Sequence, residues 1–256
     1  MKCLKLKLSG SALPTVPVFA SVTVVLATAL GCGGTWADDR PFLRTTSAVV
    51  EDDDERVFGF TATHISGKRQ GSTSAQLEYS FSPTLSVELE LGHQRDRIEG
   101  VSEREQGLGL RVSWIDPARE GWGLASKFSV ERERESGEAW AKPQWRGVMA
   151  WSVPLASQSV WLHANLGAVH QAGPRDEDRW RGLWSLGADK ALGRHTLLFA
   201  EAAGVSDGRD RMAQLGVRQW LKREKVALDV GLGRQFAHDT QGNFLAVSLS
   251  LYDLSY

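Results

Sequence analysis

The chain has 256 residues, 42% of them hydrophobic and 24% charged, with 30 basic against 31 acidic side chains and a net charge of −1. That length allows one or two domains. The even balance lacks the basic excess of a nucleic-acid-binding surface, and a chain this apolar, with 10 Trp, is not a disordered one.

In chain order, the first feature is an export signal. Lys2, Lys5 and Lys7 precede an apolar run from Val16 to Leu30, and Thr35-Trp36-Ala37 supplies the small residues of a cleavage site. This predicts a signal peptide over 1–37, since the run is shorter than the ~20 residues of a membrane-spanning helix. Ala29-Leu30-Gly31-Cys32 offers a second route, lipoprotein processing at Cys32. Cys3 and Cys32 are the only cysteines, so a chain cut after Ala37 has neither disulfide nor thiolate chemistry. Residues 38–56 are expected to form a periplasmic N-terminal segment. Its acidic run Glu51-Asp52-Asp53-Asp54-Glu55 reads as a solvated linker, with a partner-binding or plugging role as the other options.

From residue 57 onward the pattern has period two. Leu85, Val87, Leu89 and Leu91 alternate with Ser86, Glu88 and Glu90; Leu108, Leu110, Val112 and Trp114 alternate with Gly109, Arg111 and Ser113. The pattern predicts 12 strands at 57–65, 72–81, 85–94, 106–115, 122–132, 143–152, 159–169, 180–190, 196–204, 212–221, 225–235 and 244–252, of which 143–152, 159–169 and 196–204 alternate poorly. Strands of nine to eleven residues suit a tilted bilayer crossing. Short turns such as Ser82-Pro83-Thr84 alternate with longer charged loops such as Arg95 to Glu105. The expected fold is therefore all-β: a transmembrane antiparallel up-and-down β-barrel over 57–256, in the outer membrane of a Gram-negative bacterium. A soluble barrel with its apolar face inward is the competing architecture.

Trp114, Trp122, Trp151, Trp161 and Trp220 flank the short turns and are expected as membrane-interface aromatics, although Trp161 shares its phase with His163 and Trp220 with Arg218. The chain ends on Tyr256, an aromatic that the barrel-assembly machinery would read through the last strand. Tyr252, Leu254 and Tyr256 are out of phase with Leu245, Val247, Leu249 and Leu251, so the end is either bulged or a tail.

With the apolar face toward lipid, the lumen is expected to be lined by Glu78, Glu88, Glu90, Arg111, Lys127, Glu131, Arg146, His163, Arg181, Asp189, Glu201, Arg218 and Asp229. Such charges either stay solvated in an open pore or lock into ion pairs that close it. Chemistry is harder to find. His64 and Ser66 sit two apart on one strand face, the weak basis for a lipid hydrolase, but the flanking residues are lacking. No two His have metal-ligand spacing on one strand, and the loops at 175–179 and 207–210 complete no calcium pattern. No cofactor, metal or catalytic residue is expected. The expected partners are outer-membrane lipid, lipopolysaccharide and a small solute, with no nucleic acid.

One stretch carries a resemblance. Asp39-Arg40-Pro41-Phe42-Leu43-Arg44-Thr45-Thr46-Ser47-Ala48-Val49-Val50, followed by Gln76-Leu77-Glu78-Tyr79 and Leu85-Ser86-Val87-Glu88-Leu89, resembles the outer-membrane β-barrel family of the "MetA-pathway of phenol degradation" type. The resemblance covers roughly 39–92 and departs at the acidic run 51–55. It implies an outer-membrane transporter without naming a substrate and brings no catalytic motif; small solutes, aromatic or hydrophobic ones among them, are the expected cargo. The functional expectation is a passive channel, with a closed structural or binding barrel as the alternative and a lipid hydrolase behind both.

Overall fold

A computed structural model describes residues 42–48, 57–68, 70–155, 159–171, 179–208, 210–236, 241–252 and 254. The expected signal peptide, the lipoprotein route at Cys32, the acidic run 51–55 and the terminal Tyr256 lie outside the described residues.

The chain forms β1 (Val57–Gly67), β2 (Gln70–Ser82), β3 (Leu85–Asp96), β4 (Ser102–Ile115), a one-turn helix α1 (Pro117–Glu120), β5 (Gly123–Glu135), β6 (Gln144–Leu155), β7 (Val160–Gln171), β8 (Arg179–Ala191), β9 (Thr196–Val205), β10 (Arg211–Lys222), β11 (Val226–Gln235) and β12 (Gly242–Leu251). Each strand pairs antiparallel with its chain neighbours, and β1 also pairs with β12, closing a 12-stranded barrel. Closure matters because backbone N–H and C=O groups left unpaired in lipid cost several kcal/mol each. The shortest strands have 10 residues and β4 has 14, so several run past the sequence-predicted ends. The extra residues are charged rim positions such as Glu103 to Glu105 and Glu133 to Glu135, where strand pairing continues beyond the apolar band.

The pleat sets the two faces. Outward side chains such as Leu89, Leu91, Leu108, Leu110, Phe128, Leu166, Leu186, Leu215, Leu232 and Leu249 are exposed, which is tolerable only against lipid. Inward positions carry Ser, Thr, Gln, Gly and the charged residues. The architecture is that of an outer-membrane barrel and not a soluble one. By the usual asymmetry of such barrels, the start of β1, the end of β12 and the turns at 83–84, 192–195 and 223–225 mark the periplasmic end, and the opposite rim is the outer one.

Three of the five aromatics expected at the interface stand on the outer face. Trp114 and Trp122 are exposed beside the β4–β5 connection, and Trp151 stands on the outer face of β6, one residue before the inward Ser152. Two depart from it. Trp220 is only 5% exposed and points into the barrel, its ring 5.5 Å from Tyr252 and 5.3 Å from the Arg218 guanidinium. It shares the inward phase of Arg218, and the phase decides over proximity to the turn. Trp161 lies on the inner face of β7 with His163, for the same reason. At the outer rim Trp145, Trp180 and Trp184 are exposed, with Trp145 stacked on Phe128 at 5.6 Å. These three were not singled out from the sequence. At the C-terminus β12 stops at Leu251, and the buried Tyr252 turns inward onto Trp220. Tyr252 keeps the inward phase of Ser248 and Ser250.

Candidate functional site: a lumen crossed by the N-terminal segment

The lumen holds a cavity of about 700 Å³. Glu78 of β2, Glu88 and Glu90 of β3, Arg111 of β4, Lys127 and Glu131 of β5, Arg146 of β6, Arg181 of β8, Arg218 of β10 and Asp229 of β11 line it. His163 of β7, Asp189 of β8 and Glu201 of β9 share that inner face but are buried beneath another part of the chain.

The covering part is residues 42–48. They lie inside the barrel, where the sequence reading expects a periplasmic segment. The carboxylate of Glu201 accepts three successive backbone N–H groups, from Leu43 at 3.0 Å, Arg44 at 2.8 Å and Thr45 at 2.5 Å, and the Gln214 amide at 2.7 Å. Bonds from N–H groups to an ionised acceptor are worth roughly 1.5–3 kcal/mol each. On the far side, the Arg111 guanidinium donates to the Ser47 carbonyl at 2.9 Å, and the Ala48 N–H donates to Ser152 Oγ at 2.8 Å. The segment therefore bridges from β9 to β4 and β6 across the lumen. Phe42 anchors its start, edge-on to His163 at 5.3 Å and Phe199 at 6.1 Å. A Cβ at Gly187 would come within 2.9 Å of the Phe42 ring, so glycine is what lets the ring seat against β8.

Ser152 continues into a buried chain. Its Oγ lies 2.8 Å from His163 Nδ1, and His163 Nε2 lies 2.8 Å from Asp189 Oδ2. One assignment satisfies every link: Nε2–H donates to the carboxylate, the serine O–H donates to Nδ1, and Ser152 Oγ accepts from Ala48. The residue types are those of a hydrolase triad, but all three are buried, none lines the cavity, and Ser152 Oγ is engaged by the segment. In this geometry the chain is an anchor. The sequence-suggested pair is not assembled: His64 Nδ1 bonds Thr73 Oγ1 at 2.9 Å, and Ser66 Oγ accepts from Arg97 at 3.1 Å.

Charge is arranged differently along the axis. Toward the periplasm it is matched. Arg218 grips Asp229 through two bonds of 2.7 and 2.9 Å, both groups buried. Lys127 pairs with Glu88, and Arg111 approaches Glu78 at 3.9 Å. Toward the outer rim, Arg146 meets Glu131 at 3.3 Å and Arg181 meets Asp207 at 3.7 Å. Yet Glu90, Glu103, Glu105 and Glu133 have no ion pair among the described residues. Glu105 stands directly opposite Glu133, and Glu103 opposite Glu135. Like charges in facing positions destabilise a sheet unless something else supplies counter-charge. Among the described residues no group of three His, Cys, Asp or Glu is placed to hold a metal ion.

Glu201 was expected in the lumen, but its role in holding residues 42–48 was not. The available signal was that the inward face of β9 is otherwise apolar, with Leu197, Phe199, Ala203 and Val205. A lone carboxylate there needs a buried partner.

Neither the models of known protein families nor the curated proteins give a match to the sequence. Solved structures do, by fold. The KdgM porin in complex with disordered oligogalacturonate is similar at a TM-score of 0.58 and 8% identity, over 77% of this chain and 99% of that one. The NanC porin is similar at 0.54 and 6%, over 76% and 98%. An outer membrane channel from Pseudomonas putida F1 is similar at 0.55 and 9%, over 79% and 97%.

Proposed function

We propose that this chain is a passive channel of the Gram-negative outer membrane, admitting small solutes past its own N-terminal segment. The observation that carries the reading is the polar cavity of about 700 Å³ enclosed by a barrel whose outer face is apolar. The porins and channel that share the fold support it. Export through the expected leader and insertion through the last strand complete it. Fractionation followed by gel mobility with and without boiling tests both, and a soluble product without a heat shift rejects them.

Selectivity follows from the rim. Glu90, Glu103, Glu105 and Glu133 leave the outer half of the lumen with excess negative charge, which raises the local concentration of cations. The oligogalacturonate of KdgM is an acidic polymer, and this wall would repel such a ligand. The family resemblance at residues 39–92 makes phenol-like solutes the first neutral set to test. In a planar bilayer under a KCl gradient, discrete conductance steps with a cation-favouring reversal potential are expected. An anion-favouring potential rejects the selectivity.

The second reading is a barrel closed by residues 42–48, favoured by the three backbone bonds that Glu201 accepts from them. It expects no conductance from either the wild type or Glu201→Gln.

A further inference from the structure

The outer surface of β3–β5 changes character at one level. Outward side chains along β3 run Leu89, Leu91, His93, Arg95; along β4, from the rim inward, Arg104, Gln106, Leu108, Leu110; along β5, Phe128, Val130, Arg132, Arg134. Three neighbouring strands thus switch from apolar to basic together, and their outer faces carry no carboxylate at all. Register makes the patch dense. His93 faces Arg104, and Arg104 faces Arg134, in directly opposed positions. Trp140 of the following loop lies over it, its ring 5.0 Å from the guanidinium carbons of both Arg132 and Arg134.

Arg95, Arg104, Arg132 and Arg134 form no ion pair among the described residues. Arginines facing one another across a ladder repel, so the arrangement calls for an anion from outside the chain. Three properties define it. It is multiply charged and suits planar guanidinium donors, as phosphate does. It sits just beyond the apolar band, where headgroups lie. It carries apolar chains that continue down the Leu and Phe positions.

We infer that this patch is a binding site for a phosphorylated glycolipid of the outer leaflet, with His93, Arg95, Arg104, Arg132 and Arg134 holding the lipid A phosphates and Trp140 packing beside them. A second copy of the chain fits poorly, because a face without carboxylates cannot complement itself.

The test uses the full chain folded in detergent, with bisphosphorylated lipid A, the same lipid stripped of phosphate, and inorganic phosphate as probes. Bisphosphorylated lipid A should bind and raise the temperature at which the folded gel band is lost. R104Q/R132Q/R134Q should bind it about tenfold or more weakly, as loss of several charge-assisted contacts implies, while R104K/R132K/R134K falls between. Should the glutamine variant fail to fold, the single Arg104→Gln variant should still show a measurable loss. Equal binding of the stripped lipid, or unchanged affinity in the folded variants, overturns the site. Stabilisation by inorganic phosphate alone overturns it in favour of a free anion. A wild-type dimer that R104Q/R132Q/R134Q abolishes overturns it in favour of a second copy.

Discussion

The two halves of the lumen solve opposite problems. In the periplasmic half, charges are withdrawn from water and tied: Arg218 to Asp229, His163 to Asp189, Glu201 to the backbone of residues 43–45. In the outer half, carboxylates face one another across β4 and β5 and stay in contact with the cavity. The tied half gives the barrel its shape and its obstruction. The untied half gives it a field. Stability and selectivity are thereby carried by different residues, and substitutions should separate them.

The largest effect is expected at the buried ion pair. Arg218→Ala leaves Asp229 alone in a buried site, which should destabilise the barrel by about 3–5 kcal/mol. It would be read as a lower temperature for loss of the heat-modifiable band. The double variant R218A/D229A should recover part of that, because no orphan charge remains.

Next comes the latch. Glu201→Gln keeps the shape and removes the charge. Exchanging charge-assisted for neutral bonds should weaken the hold on residues 43–45 by roughly 2–3 kcal/mol, so the released fraction rises about 30- to 150-fold. Open probability in a bilayer, and labelling of a cysteine placed at Ser47, measure it. An unchanged open probability together with unchanged labelling would mean that Glu201 does not govern the segment.

Phe42→Leu removes the edge-on contacts to His163 and Phe199, worth about 0.5–1.5 kcal/mol. Open probability should rise severalfold while the folded band persists. The smallest energetic effect is on the untied side. E105Q/E133Q relieves a facing repulsion and should stabilise the fold by about 0.2–1 kcal/mol. It should also move the reversal potential toward anions. A stability loss without a change in selectivity would contradict the division between the halves.

The barrel was legible because each strand writes its two faces with a period of two, and phase alone separates Leu108 and Leu110 from Arg111. Phase also held the information about Trp161 and Trp220, although their place beside the turns pointed the other way. The three strands that alternated poorly are instructive. β6, β7 and β9 carry Ala150, Val169, Leu197, Phe199 and Ala203 on their inner faces, and β6 and β9 are two of the walls that residues 42–48 touch. The irregularity marked where the lumen wall is covered. The cover itself was not legible, since its bonds join backbone groups to side chains 64 to 158 residues away. Nothing in the Arg44-Thr45-Thr46 stretch announces that its amides will meet Glu201.

The separation of charge on β4 and β5 also bears on how the barrel finds its pairing. In Glu103-Arg104-Glu105 and Glu131-Arg132-Glu133-Arg134-Glu135, acids point inward and arginines outward. A slip of one residue in either strand would reverse that at the rim and, deeper in the same strand, would turn Arg111 or Lys127 out of the lumen toward the acyl chains. Mispaired intermediates would then hold charge at a depth the bilayer penalises by a few kcal/mol per group. The alternation along β4 and β5 is thus a proofreading code for the barrel's own assembly, read where the strands cross the bilayer.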